Sequence, residues 1–169
     1  MMGEDLRARF PAAELKLGDA HLRIVERFGL RRTFKDGEVL VEAGACAPNF
    51  YVVRSGEVDA VEFSHGAPQV VWHAGPGEFL GEVAFLSGQA STLSRIARGD
   101  AEVWEIHPEN LRRIITEEAG LGSVILTTLI ARTQIMLDLH LTPLRVIGSR
   151  FSADTFRIRG FSDQEQGLF

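Results

Sequence analysis

One cysteine, Cys46, in 169 residues leaves no internal disulfide, no Cys-x-x-Cys redox pair and no thiolate metal cluster. No apolar run approaches the roughly 20 residues of a membrane span. The opening MMGEDLRARF carries charges where a signal peptide needs an apolar stretch, so a cytoplasmic protein is expected. The net charge of −5, with acidic and basic residues mixed along the whole length, gives no field to hold a polyanion, and nucleic-acid binding is not expected. There is no Gly-x-Gly-x-x-Gly fingerprint, so flavin or NAD binding is not supported.

What is there is enough for one core: a hydrophobic fraction of 45% in a chain of one-domain length. Asp19, a good N-cap residue, opens a helix that carries Leu22, Ile24, Val25 and Phe28 at helical spacing until Gly29 stops it. From about Leu30 to Ile106 the pattern turns to short β-type runs: RRTF, EVLVEA, NFYVVR, EVDAVEF, QVVWHA, STLSRIA and AEVWEI. Many short strands at even spacing predict a roll or barrel. Gly37, Gly44, Gly56, Gly66 and Gly77 fall between runs, where tight turns use a residue that tolerates positive φ.

Two helices are predicted next. Pro108 stands at the start of the first, with Leu111, Ile114 and Ile115 apolar and Gly120 as its stop. The second runs from about Leu121 to Leu139 and places Leu121, Ile125, Leu129, Arg132, Met136 and Leu139 near one stripe, with Val124, Ile130 and Ile135 as a second apolar flank. A helix apolar on two sides needs two partners: the roll, and either its own subunit or the same helix of a second chain in a parallel homodimer.

The segment GEFLGEVAFLSGQASTLSRIA, residues 77–97, lies between strands and contains what reads as one short helical turn. Backbone N–H groups at the start of that turn, near Val83 and Ala84, suit a phosphate, because they are free donors at the positive end of a helix dipole. Glu82 ahead of them suits paired sugar hydroxyls. Together with GEVLVEAGACAPNFYVVRSGEVDAV upstream, the segment resembles the cyclic-nucleotide-binding domain family of catabolite activators, kinase regulatory subunits and gated channels, over about residues 18–139. The resemblance implies a mainly β fold with flanking helices, a double-stranded β-helix or jelly-roll-like β-roll with an N-terminal helix and two C-terminal helices.

The family cassette reads roughly Gly-Glu-x-Ala-Leu, a short loop, then Arg-Ser/Thr-Ala. Here Gly81, Glu82 and Ala84 match its first part, and Phe85 and Leu86 continue it. The resemblance implies that Glu82 binds the ribose hydroxyl and that the amides near Val83 and Ala84 meet the cyclic phosphate of cAMP or cGMP. No other cofactor is implied. This chain departs from the pattern at Ser91, which stands where the phosphate-pairing arginine belongs, with Thr92 at the following small hydroxyl position. A charge-assisted hydrogen bond is worth roughly 1.5–3 kcal/mol, so its loss lowers affinity about ten- to a hundredfold unless replaced. Arg95 is the candidate replacement, because side-chain alternation puts it on the same strand face as Ser91. Family members often cap the base from the C-terminal helix; here that stretch is about Arg132 to Asp138, with Thr133, Leu137 and Asp138 as candidates.

These boundaries give an N-terminal extension over 1–17, the roll with its C-terminal helix over 18–140, and a tail over 141–169. The tail segment TPLRVIGSRFSADTFRIRGF is too short for the helix-turn-helix of activator-type members. It resembles the opening of the thioredoxin-like segment in bacterial fusions of a cyclic-nucleotide-binding domain to a thioredoxin reductase. Ser149 and Ser152 stand where Cys-x-x-Cys would, which excludes thiol exchange there. Two functions stay open on these residues: a ligand-responsive sensor, with control of a redox partner as its implied output, or a degenerate roll that binds no cyclic nucleotide and serves as a dimerisation or docking module. A third, a cupin-type metal enzyme, is disfavoured. His65 and His73 form no His-x-His, and His21, His107 and His140 lie in or beside helices. No enzymatic activity is expected.

Overall fold

A computed structural model describes residues 8–46, 49–63, 66–81 and 90–139. A 3-10 turn at Pro11–Glu14 precedes helix α1, Asp19–Phe28. Strands β1, Leu30–Phe34; β2, Val39–Val41; β3, Phe50–Glu62; β4, Gln69–Ala74; β5, Phe79–Leu80; and β6, Ser94–Ile106 follow. Helices α2, Pro108–Glu117, and α3, Ala119–Asp138, close the described part. The strands join one antiparallel sheet in the order β1-β6-β3-β4, with β2 added on β6 and β5 on β3. This is the expected β-roll with an N-terminal helix and two C-terminal helices.

Alternation along the strands sorts the apolar side chains into two cores. Tyr51 and Val53 of β3, Leu80 of β5 and Val103 of β6 point inside the roll with Val41, Ala60, Trp72, Ala74 and Leu93. Phe50, Val52, Phe79, Trp104 and Ile106 point to the other side, where Val25 of α1, Leu111 and Ile114 of α2, and Leu121 and Ile125 of α3 cover them. Each fully buried Phe or Ile contributes about 1.5–3 kcal/mol on transfer from water, so the second core fixes all three helices against the sheet.

Several local expectations are corrected. The runs on either side of Gly56 are one strand, β3, and those on either side of Gly99 are one strand, β6. Gly56 makes no chain reversal; it has φ +76° and sits in a bulge where Ser55 pairs with Glu102 but Glu57 pairs with Arg98. A β-carbon on Gly56 would lie 2.3 Å from the Asp100 carbonyl oxygen, so the close backbone approach requires glycine. The bulge bends both long strands and curls the sheet into a roll. Gly37, Gly44, Gly66 and Gly77 do lie at positive φ outside the strands.

Asp19 is the first helical residue of α1, with Gly18 as the cap. Gly120 does not stop α2. The chain breaks at Glu118, and Gly120 lies within the first turn of α3. In the N-terminal extension, the 3-10 turn packs on α3 and Ala13 is fully buried. The stripe Leu121, Ile125, Leu129, Arg132 and Met136 is buried as expected, but the second flank divides, with Ile135 buried, Val124 half-buried and Ile130 70% exposed. α3 is, contrary to expectation, long and apolar enough by length and composition to cross a membrane. That apolarity has a local use, since eight of its residues, including Arg132, are buried in the protein.

Candidate functional site

The roll interior is approached from β5. The turn before it is closed by Glu78, whose backbone N–H donates to the Gly75 carbonyl at 3.0 Å while its carboxylate accepts from the Gly75 N–H at 2.6 Å. β5 pairs with Tyr51 and Val52 of β3 and delivers the chain to Gly81, which is buried at φ +111°. A β-carbon there would lie 2.9 Å from the Asn49 carbonyl oxygen, so the first residue of the cassette has a backbone reason to be glycine. Glu82, Val83 and Ala84, the expected ribose and phosphate contacts, lie outside the described residues, as do Phe85 and Leu86.

The far side of the cassette is fixed by Ser91. Its carbonyl accepts from the Gly44 N–H at 2.7 Å and its N–H donates to the Ala45 carbonyl at 3.0 Å, tying it to the turn after β2. Its hydroxyl donates to the Leu93 carbonyl at 2.7 Å, which leaves the oxygen lone pairs able to accept. Ser94 supports the same turn by accepting from the Ala43 N–H at 3.0 Å. Thr92 is exposed.

Arg95 is near Ser91 as expected, but not by alternation along one strand, because β6 begins at Ser94 and Ser91 lies before it. On β6 it is paired with Val41 of β2 and Ala60 of β3, is only 6% exposed, and directs Nη1 to within 3.4 Å of the Ser91 hydroxyl oxygen. Ser91 and Arg95 are therefore neighbours inside the roll. Tyr51 is a member of this region that the sequence reading missed. Its hydroxyl reaches the Leu40 carbonyl at 3.5 Å. Burial, reinforced by the Glu105 carboxylate, pushes the phenol above its ordinary value of 10.0, against opposing pulls from Arg32 and Arg95. Alternation in NFYVVR could have placed Tyr51 inside the roll, but nothing in the sequence pairs it with Arg95.

The stretch expected to cap a base presents a different set of residues to the roll. Ile135 and Met136 are buried against the interior cluster, whereas Thr133 is half-buried and Leu137 is 39% exposed. The Asp138 carboxylate accepts from Arg9 at 3.4 Å and from Gln134 at 3.2 Å. The described histidines are dispersed. His73 bonds Asp59 on the neighbouring strand at 2.5 Å, His107 caps α2 through Nδ1, and His21 lies on α1 beside Gly120. Among the described residues no three His, Cys, Asp or Glu side chains are grouped to hold a metal ion.

The fold and the sequence have known counterparts. The model of the cyclic nucleotide-binding domain family matches residues 31–118, just over half of the chain. The cAMP-dependent protein kinase regulatory subunit of Dictyostelium discoideum is 27% identical over 85 residues, 48% of this chain and 26% of that one. The chain spans only 10–26% of the length of the curated relatives it matches. Among solved structures, the catabolite activator protein of Thermus thermophilus superposes with a TM-score of 0.62 at 24% identity, over 77% of this chain and 61% of that one. A protein solved in work on a cyclic-GMP-dependent signalling pathway that regulates bacterial phytopathogenesis superposes with a TM-score of 0.61 at 26% identity, over 70% of this chain and 95% of that one. The matched region takes in β1 to α2 and so holds the bulged strands, the Gly81 junction and the Ser91–Arg95 pair: the chain belongs to the cyclic nucleotide-binding domain family.

Proposed function

We propose that this chain is a regulatory domain that binds a cyclic nucleotide, cAMP or cGMP, inside its roll. In this reading Arg95 meets the ligand phosphate in place of the arginine that the family pattern puts at position 91. The observation that carries the reading is the position of Arg95, buried and 3.4 Å from the Ser91 hydroxyl. A guanidinium at that place supplies a planar, permanently charged donor set to an anion in a low-dielectric interior, where a charge-assisted hydrogen bond is strong. Gly81 starts the cassette, Glu82 holds the ribose hydroxyls, the amides at Val83 and Ala84 complete the phosphate contact, and Ser91 and Thr92 line its far edge. Family membership and the cyclic-GMP pathway protein support the ligand class.

The domain acts by regulation and not by catalysis, as the name of the kinase subunit relative suggests, and it works in the cytoplasm. Its assembly is a homodimer through α3. Ser123, Thr127, Ile130, Gln134 and Leu137 lie on the exposed side of that helix at alternating four- and three-residue spacing, the spacing of a helix-pairing seam. A link to a thioredoxin reductase-like partner rests on the likeness of residues 141–169 alone, which lie outside the described residues.

Calorimetric titration with cAMP and cGMP tests the reading, with Arg95→Met and Glu82→Ala as controls. Binding by the unaltered chain that both substitutions weaken supports it. Absence of heat at millimolar ligand favours the docking module.

A further inference from the structure

Arg132 holds three segments that are far apart in sequence. From α3 its Nε donates to the carbonyl of Ala13 in the 3-10 turn at 3.0 Å, and its Nη1 donates to the carbonyl of Phe79 in β5 at 2.5 Å. The guanidinium carbon lies 5.3 Å from the ring centre of Trp72 and 5.1 Å from that of Phe79. The residue is 7% exposed, and Ala13 and Phe79 are fully buried. The Phe79 carbonyl is two residues before Gly81, where the cassette begins.

We propose that Arg132 is a positioning residue that latches α3 to the strand leading into the cassette, so that the last turns of α3, the 3-10 turn and β5 are released together. The planar guanidinium donates in two directions at once, which a single ammonium cannot do with the same geometry. Hydrogen bonds of a buried cation are costly to lose singly, because the charge stays desolvated until the whole contact opens to water. Displacement of α3 therefore withdraws acceptors and aromatic faces as a set, and the coupling runs through one defined contact. The latch does not depend on which ligand enters the roll, and its test contains none.

Native-state hydrogen exchange of the unaltered chain in mild denaturant reads the coupling directly. The amides of residues 132–138, of Leu80 and of Leu17, whose N–H donates to the Gly77 carbonyl at 2.8 Å, are expected to share one opening with the same denaturant dependence. Independent opening of the end of α3, with Leu80 and Leu17 still protected, would overturn the proposal. In Arg132→Met, which keeps an apolar stem, the end of α3 is expected to exchange at least tenfold faster and to lose its shared opening with Leu80. Arg132→Lys is expected to lose the shared opening although it keeps the charge. Uniformly lowered protection with the shared opening intact would mark Arg132 as a packing residue only and overturn the latch. The measurement on the unaltered chain decides the matter if a variant fails to fold.

Discussion

Gly81 and Asn49 face each other so closely that a β-carbon on the glycine would sit 2.9 Å from the asparagine carbonyl oxygen and 3.2 Å from the Cα of Phe50. With φ at +111°, the backbone there is one that other residues adopt only under strain. Gly81→Ala is expected to destabilise the fold by about 1–3 kcal/mol, visible as a lower urea midpoint. An unchanged midpoint would show that the junction relaxes without cost.

The proximity of Arg95 and Ser91 predicts an exchange of roles. Arg95→Met lowers affinity for cyclic nucleotide by about ten- to a hundredfold, the equivalent of one charge-assisted hydrogen bond. Adding Ser91→Arg to that variant is expected to restore binding, because the new side chain starts from the place where the family pattern carries its arginine. Failure of the double variant, with binding by the unaltered chain intact, would mean that Arg95 contributes something other than an anion contact.

Tyr51 predicts a loss of stability in alkali. Its folded pKa is raised above 10.0, chiefly by burial, so above pH 10 the unfolded chain releases the phenolic proton more readily than the native one. The contribution is fully present below pH 10 and is lost as pH rises through the folded value. Tyr51 is the sole tyrosine of the chain, so phenolate absorbance reports this group without ambiguity. Its titration midpoint is expected above 10.0 in the folded protein and to fall on unfolding in urea. Tyr51→Phe is expected to flatten the decline in unfolding free energy between pH 10.0 and the folded midpoint, and an equal decline in both proteins would contradict the assignment.

The exposed stripe of α3 predicts a dimer that depends on Ile130, which is 70% exposed. Ile130→Glu would place a carboxylate in the proposed seam, and sedimentation is expected to show a dimer for the unaltered chain and a monomer for the variant. Dimers that survive the substitution would move the interface elsewhere.

The strands were legible in the sequence where alternation and turn residues agree. QVVWHA is β4 residue for residue, and Val25 and Phe28 identify the packing side of α1. The pattern misled at Gly56 and Gly99, because a positive-φ glycine inside a bulged strand has the same local signature as a glycine in a turn. It misled again at Gly120, because a glycine in the first turn of a helix carries the same local signature as a helix stop, and the chain breaks two residues earlier at Glu118. The likeness in 77–97 singled out a segment of which only its two ends are described, and Arg95 does come within 3.4 Å of Ser91, although Ser91 precedes β6 and strand alternation does not reach it. Arg132 stood in the buried stripe from the start, but its acceptors are 119 and 53 residues away, and no short-range pattern reports such contacts.

Calorimetric titration of the unaltered chain with cAMP and cGMP, run beside Arg95→Met, tests the central claim most directly. Saturable micromolar binding that weakens at least tenfold in the variant is the predicted result, and equal binding by the two proteins or no heat from the unaltered chain at millimolar ligand would contradict it.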